Sequence, residues 1–178
     1  MNVNNNFEDE NKAANNILYI FMAISIVPLL MIFGFYLYNP ESPLLYSIAA
    51  RTGDLPSTIS SKNPLMSKVM DVYCKSAPFL ALIFFVCSFK LRKLNKKLNR
   101  VKLIRACLLS LFFYVFCIYI FMLKNIELTT SGRILRFISE NNFTLLLFYA
   151  GLYIILFFLT YAMCYVPVIG YKLFKERQ

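Results

Sequence analysis

The chain is 178 residues long, 59% hydrophobic and 17% aromatic, and only 16% of it is charged, against about 25% in an ordinary soluble domain. So short a chain cannot hide that much apolar surface in one core, and composition places it, as a single domain, in the membrane class. The net charge is +10, with nine acids and no histidine; this removes the usual general base and the commonest metal ligand and argues against an enzyme and against any cofactor or metal.

An acidic stretch, "FEDENK" at residues 7–12, precedes the uncharged run Ile17–Tyr38. That run is long enough for a membrane helix of about 20 residues, and Pro28 predicts a kink in it. The residues ahead of it are acidic, where a signal peptide needs a basic segment, so the run is expected to stay as an anchor. Ala23 and Gly34, eleven positions apart, share one face of this helix, and small residues let membrane helices approach closely.

Residues 39–71 follow as a loop holding "GDLPSTISSKNP", a composition typical of turns and irregular backbone. Asn63 and Pro64 predict a helix start, with Asn63 as N-cap and Pro64 at the first helical position, where its missing N–H costs nothing. One helix is expected from there, kinked at Pro78 and crossing the membrane at about 72–91, with Lys75 and Lys90 reaching to opposite interfaces. Asp71 and Lys75 lie four apart on one side of it, which predicts a solvated helix entrance with a weak ion pair.

The segment "KLRKLNKKLNRVKLIR", residues 90–105, carries eight of the nineteen basic residues and no acid. Wedged between apolar runs, it reads as a cytoplasmic topology anchor rather than a nucleic-acid patch. An uncharged run at 106–123 predicts a third span. Residues 124–142, "KNIELTTSGRILRFISEN" and the asparagine after it, form a second outer loop in which Arg133, Arg136 and Glu140 make a charged cluster. The last span is expected at about 143–165, ahead of Pro167. Tyr149, Tyr153, Tyr161 and Tyr165 line one stripe of it, as packing residues and interface anchors. Gly151 and Ala162 repeat the separation of Ala23 and Gly34, and packing between the two small-residue faces is the favoured reading, receipt of an incoming helix the other. Cys74, Cys87, Cys107, Cys117 and Cys164 show no CxxC spacing and read as small buried hydrophobes.

The expected fold is therefore an all-α integral membrane protein, a bundle of four transmembrane helices in the bacterial inner membrane. Both termini and residues 90–105 are cytoplasmic in this reading, and residues 39–71 and 124–142 periplasmic. No ionisable residue falls at the centre of any of these spans, which counts against ion-coupled or proton-coupled transport. A small channel or transporter subunit remains the alternative.

Three stretches, "NPLMSKVMDVYCKSAPFLAL", "ELTTSGR" and "TLLLFYAGLY", resemble the colicin A type immunity proteins, and the resemblance runs from "ILYIFMAISIVPLL" to "KLFKERQ". It implies protection of the producing bacterium from a pore-forming colicin. The partner it implies is the toxin's pore-forming domain, met within the lipid bilayer so that the pore stays closed. Since apolar burial gives no driving force within lipid, selectivity for such a partner is expected from close packing and a few polar contacts, at Ala23, Gly34, Gly151 and Ala162 on the spans, with Asp71, Lys75, Arg133 and Arg136 at the outer boundary adding polar selection.

Overall fold

The computed structural model describes residues 3–89 and 100–175, and its elements are nearly all helical. In chain order they are α1 (Val3–Tyr38), α2 (Pro43–Arg51), the two-residue strand β1 (Thr58–Ile59), α3 (Pro64–Cys74), α4 (Ala77–Ser88), α5 (Arg100–Ile118), which ends in a π-helical turn (Tyr119–Leu123), β2 (Ile126–Glu127), α6 (Arg133–Glu140) and α7 (Asn142–Lys175).

α7 is the axis of the bundle, and α1, α3, α4, α5 and α6 all pack against it. Its inward face carries Leu145, Tyr149, Leu152 and Leu156 in one row and Leu146, Tyr153, Phe157, Tyr161 and Tyr165 in the next, the three-to-four spacing that keeps one side of a helix turned to its neighbours. Aromatic rings fill the seam: Phe21 of α1, Phe84 of α4 and Phe157 of α7 lie with centroids 5.0–6.0 Å apart, and Tyr73 stacks on Tyr153 at 5.3 Å. The four tyrosines of the expected stripe are thus core residues, all under 7% exposed.

The outward faces are as apolar as the core. Ile20 and Ile24 of α1, Phe79 and Val86 of α4, and Leu109 and Phe112 of α5 are each more than 60% exposed, far more apolar surface than a soluble monomer shows to water. Three stretches are long and apolar enough to cross a membrane: Ala14–Tyr38, Pro64–Ser88 and Asn142–Val168. The remaining expected span is a shorter apolar helix, Leu108–Leu123, covering about 24 Å at 1.5 Å per residue against a hydrocarbon core of about 30 Å.

Two local expectations change. The helix that starts at Pro64 is not only kinked at Pro78 but interrupted at Lys75–Ser76, just ahead of it, whereas α1 holds Pro28 within a continuous helix. Pro78 has no N–H to give the carbonyl of Cys74 and its ring crowds that turn; α4 then starts afresh, with the amide of Leu80 bonded to the Ser76 carbonyl. Asn63 does precede the first helical residue but makes no side-chain cap. Its Oδ1 instead accepts the Tyr36 hydroxyl at 2.9 Å, tying the end of α1 to the start of α3. The placement expected for Lys90 and for most of the basic run lies outside the described residues.

Candidate functional site

Lys68, Asp71 and Lys75 recur at three and four residues, so one face of α3 presents all three. That face is covered by residues 53–57, a stretch of turn and irregular chain. Lys68 Nζ donates to Gly53 O at 3.3 Å, Leu55 O at 2.8 Å and Ser57 Oγ at 3.1 Å. Lys75 Nζ donates to Pro56 O and to Asp71 Oδ2, the latter at 2.5 Å. Asp71 is 1% exposed and Lys68 7%, so both charges are out of water, where a charge persists only when paired and hydrogen-bonded.

The expected solvated ion pair is therefore part of a three-residue cluster in which Asp71 and Lys68 are buried and Lys75 is half-buried. The apolar stretch Pro64–Ser88 is long enough to cross a membrane and starts ahead of the expected crossing at 72, so it includes Lys68, Asp71 and Lys75 in its cap-proximal half. These groups are spent on loop carbonyls, on the Ser57 hydroxyl and on one another.

The same short stretch of chain binds the second loop. β1 pairs in parallel with β2, Thr58 opposite Ile126 and Ile59 opposite Glu127. Asn125 Oδ1 accepts the Ser57 amide at 2.8 Å, Ser60 Oγ donates to Ser139 O at 3.3 Å, and Lys62 meets Glu140 at 3.5 Å on the surface. From below, the Tyr149 hydroxyl donates to Thr58 O at 2.6 Å, and the Ser60 amide donates to Ser67 Oγ at 3.0 Å. The two loops read as separate in the sequence are one cap, seated on the ends of α1, α3 and α7.

Of the site residues expected from sequence, Asp71 and Lys75 come together at the base of this cap. Arg133 and Arg136 stand apart from them on α6 and are exposed. Arg136 Nε donates to Thr129 O at 3.1 Å, and Glu140 pairs with Lys62 and not with the arginines. The small residues do not pack against each other. Ala23, Gly34 and Ala162 are exposed and Gly151 is half-buried, and a Cβ added at Gly34 or Gly151 meets nothing within 4 Å. The favoured internal packing is overturned, since aromatic side chains fill the seam and turn the small residues outward. Cysteine behaviour is mixed: Cys74 and Cys117 are buried as expected, while Cys87 is exposed. Lys68 and Tyr149 were missed as contributors to the cap. The spacing of Lys68 to Asp71 and Lys75 was the available signal.

Chemically the site offers hydrogen-bond donors fixed on backbone carbonyls, and, among the described residues, no group of acids and cysteines able to hold a metal ion. It is built to hold a surface in shape. The family model for colicin immunity proteins matches residues 41–178. The chain is 51% identical to the colicin-A immunity protein of Citrobacter freundii over 171 residues, 96% of both chains. It is 36% identical to the colicin-B immunity protein of Escherichia coli over 171 residues, 96% of this chain and 98% of that one. No solved structure matches it. A match over most of the length to the family model, and to two relatives over nearly all of it, places this chain in the colicin immunity protein family.

Proposed function

We propose that the chain protects the bacterium that carries it from a pore-forming colicin, by binding the toxin's channel domain in the inner membrane and keeping the pore from opening. The observation that carries this reading is the 51% identity to a colicin-A immunity protein across 96% of both chains. The fold is compatible with it, with apolar outward faces for a partner already in lipid and a rigid cap on one side.

The cap supports a reading of four spans. β1 precedes α3, β2 follows α5, and the two strands are bonded side by side; the chain that leaves the cap along α3 and α4 has to return along α5. If Pro64–Ser88 crosses the membrane, the shorter Leu108–Leu123 crosses it as well, helped by flanking Arg105 and Lys124 reaching to the headgroups. α1 ends at the cap and α7 starts from it, which supports placing both termini and the basic run on the opposite side. Basic loops stay in the cytoplasm, which makes the cap periplasmic. Single cysteines in a cysteine-free background test this: position 62 is expected to react with an impermeant thiol reagent in intact cells, and position 97 only after lysis. The reverse pattern overturns the orientation.

For function, sensitive cells expressing the chain are expected to survive one pore-forming colicin, with potassium retained, and to remain sensitive to nuclease colicins. Equal potassium loss with and without the chain, for every pore-former tried, refutes the assignment.

A further inference from the structure

We infer that α6 is a membrane-surface helix, its apolar flank resting on the acyl chains and its arginines on phospholipid phosphates. At about 100° per residue, the eight residues of α6 divide around the axis into three sectors. Ser139, fully buried, and Leu135, half-buried, face the cap and α7. Ile134 and Phe137 occupy a second sector, 77% and 69% exposed; Arg133, Arg136 and, between them, Glu140 form a third, also exposed, in which the Glu140 carboxylate is already paired with Lys62 at 3.5 Å, and half-buried Ile138 borders the covered sector. A helix wholly in water has no use for two large apolar residues side by side, and a helix receiving another protein helix has no need of a cationic edge beside them. An amphipathic helix at a lipid interface needs both, an apolar side for the acyl boundary and cations at headgroup level.

Position in the chain points to the same occupant. α6 packs on α7 and runs into it through Asn141, whose Oδ1 accepts the Phe143 amide at 2.9 Å. Phe143 and Leu147, on the first turns of α7, are 56% and 55% exposed, so the apolar flank of α6 stands at the head of a helix surface that itself faces lipid. The side chain of Arg133 makes no hydrogen bond or ion pair among the described residues, and the Arg136 side chain is held by Thr129 O through Nε alone, leaving guanidinium N–H groups for phosphate oxygens, which the planar guanidinium matches well. Gly132, at φ 130°, supplies the turn that lays α6 down; a side chain is rarely tolerated there. This inference rests on the membrane placement of α7 and not on toxin recognition, although a toxin helix entering from the periplasm crosses the same layer.

The chain has no tryptophan, so Phe137→Trp gives a clean reporter. The full chain is reconstituted in phosphatidylethanolamine–phosphatidylglycerol vesicles, with Leu147→Trp and Lys62→Trp as references for lipid and for the outer face of the cap. Phe137→Trp is expected to be quenched by lipid brominated near the glycerol end of the acyl chain at least about threefold more than Lys62→Trp, and to resist aqueous iodide. Quenching by iodide equal to that of Lys62→Trp overturns the inference. So does brominated-lipid quenching that vanishes as the protein-to-lipid ratio rises, which identifies a second copy of the chain as the occupant. Adding Arg133→Gln and Arg136→Gln is expected to raise iodide quenching at position 137; no change refutes the role given to phosphate.

Discussion

Replacing Asp71 by leucine is expected to abolish protection and to destabilise the chain by about 3–5 kcal/mol, the range for removing one partner of a buried ion pair. The magnitude follows from position. Asp71 is 1% exposed, its Oδ2 accepts Lys75 Nζ at 2.5 Å, and Lys68 lies one turn away with its ammonium already committed to the chain around Ser57. Without the carboxylate, the ammonium groups of Lys68 and Lys75 lose their shared buried counter-charge, and burial of unpaired charge is the costly case. Adding Lys75→Met to Asp71→Leu removes the stranded charge, and most of the loss is expected to return; what remains is the lost bond to Pro56 O. Resistance to detergent-induced unfolding, followed in the purified chain, orders the variants as wild type, double, then single. A single variant as stable as wild type shows that the cluster does not hold the cap.

The same cluster marks where reading from sequence stopped. The spans along α1 and α7 were legible because uncharged runs of that length have few other uses, and Pro78 announced a break beside it. The cap was not legible. Its strands are two residues each, too short for alternation to register, and their pairing joins Thr58 to Ile126 across a distance in sequence that no local pattern bridges. Asp71 and Lys75 were seen as a pair but read as solvated, because exposure depends on residues 53–57 folding back over α3. Polar residues at a helix start look the same whether they face water or a carbonyl-rich loop. Gly151 and Ala162 were recognised as a small-residue face, while the partner of that face was misjudged: Phe84, Phe157 and Tyr161 already fill the interior seam.

That misjudgement sharpens the test of where recognition occurs. An inserting apolar hairpin gains nothing from apolar burial inside lipid, so its selectivity rests on close packing and a few polar contacts. In the free chain, leucine at Gly151 meets an open space, since a Cβ there finds nothing within 4 Å, and leucine is a better helix former than glycine by several tenths of a kcal/mol. Gly151→Leu and Ala162→Leu are therefore expected to leave membrane level and detergent resistance unchanged or slightly raised. If the outward face of α7 receives the toxin, the added side chain holds the two backbones apart. Loss of about 1–2 kcal/mol of helix contact then corresponds to roughly tenfold weaker binding. Survival against graded toxin doses is expected to shift by about that factor for each variant, with Phe112→Leu on the exposed side of α5 as a control that shifts nothing. The competing account places specificity in the cap, and exchange of residues 39–63 and 124–141 together with those of an immunity protein of different specificity separates the two. The segments have to move as a pair, because β1 and β2 bond to each other. Specificity that travels wholly with the exchanged cap, while Gly151→Leu and Ala162→Leu still protect fully, excludes recognition on the span faces.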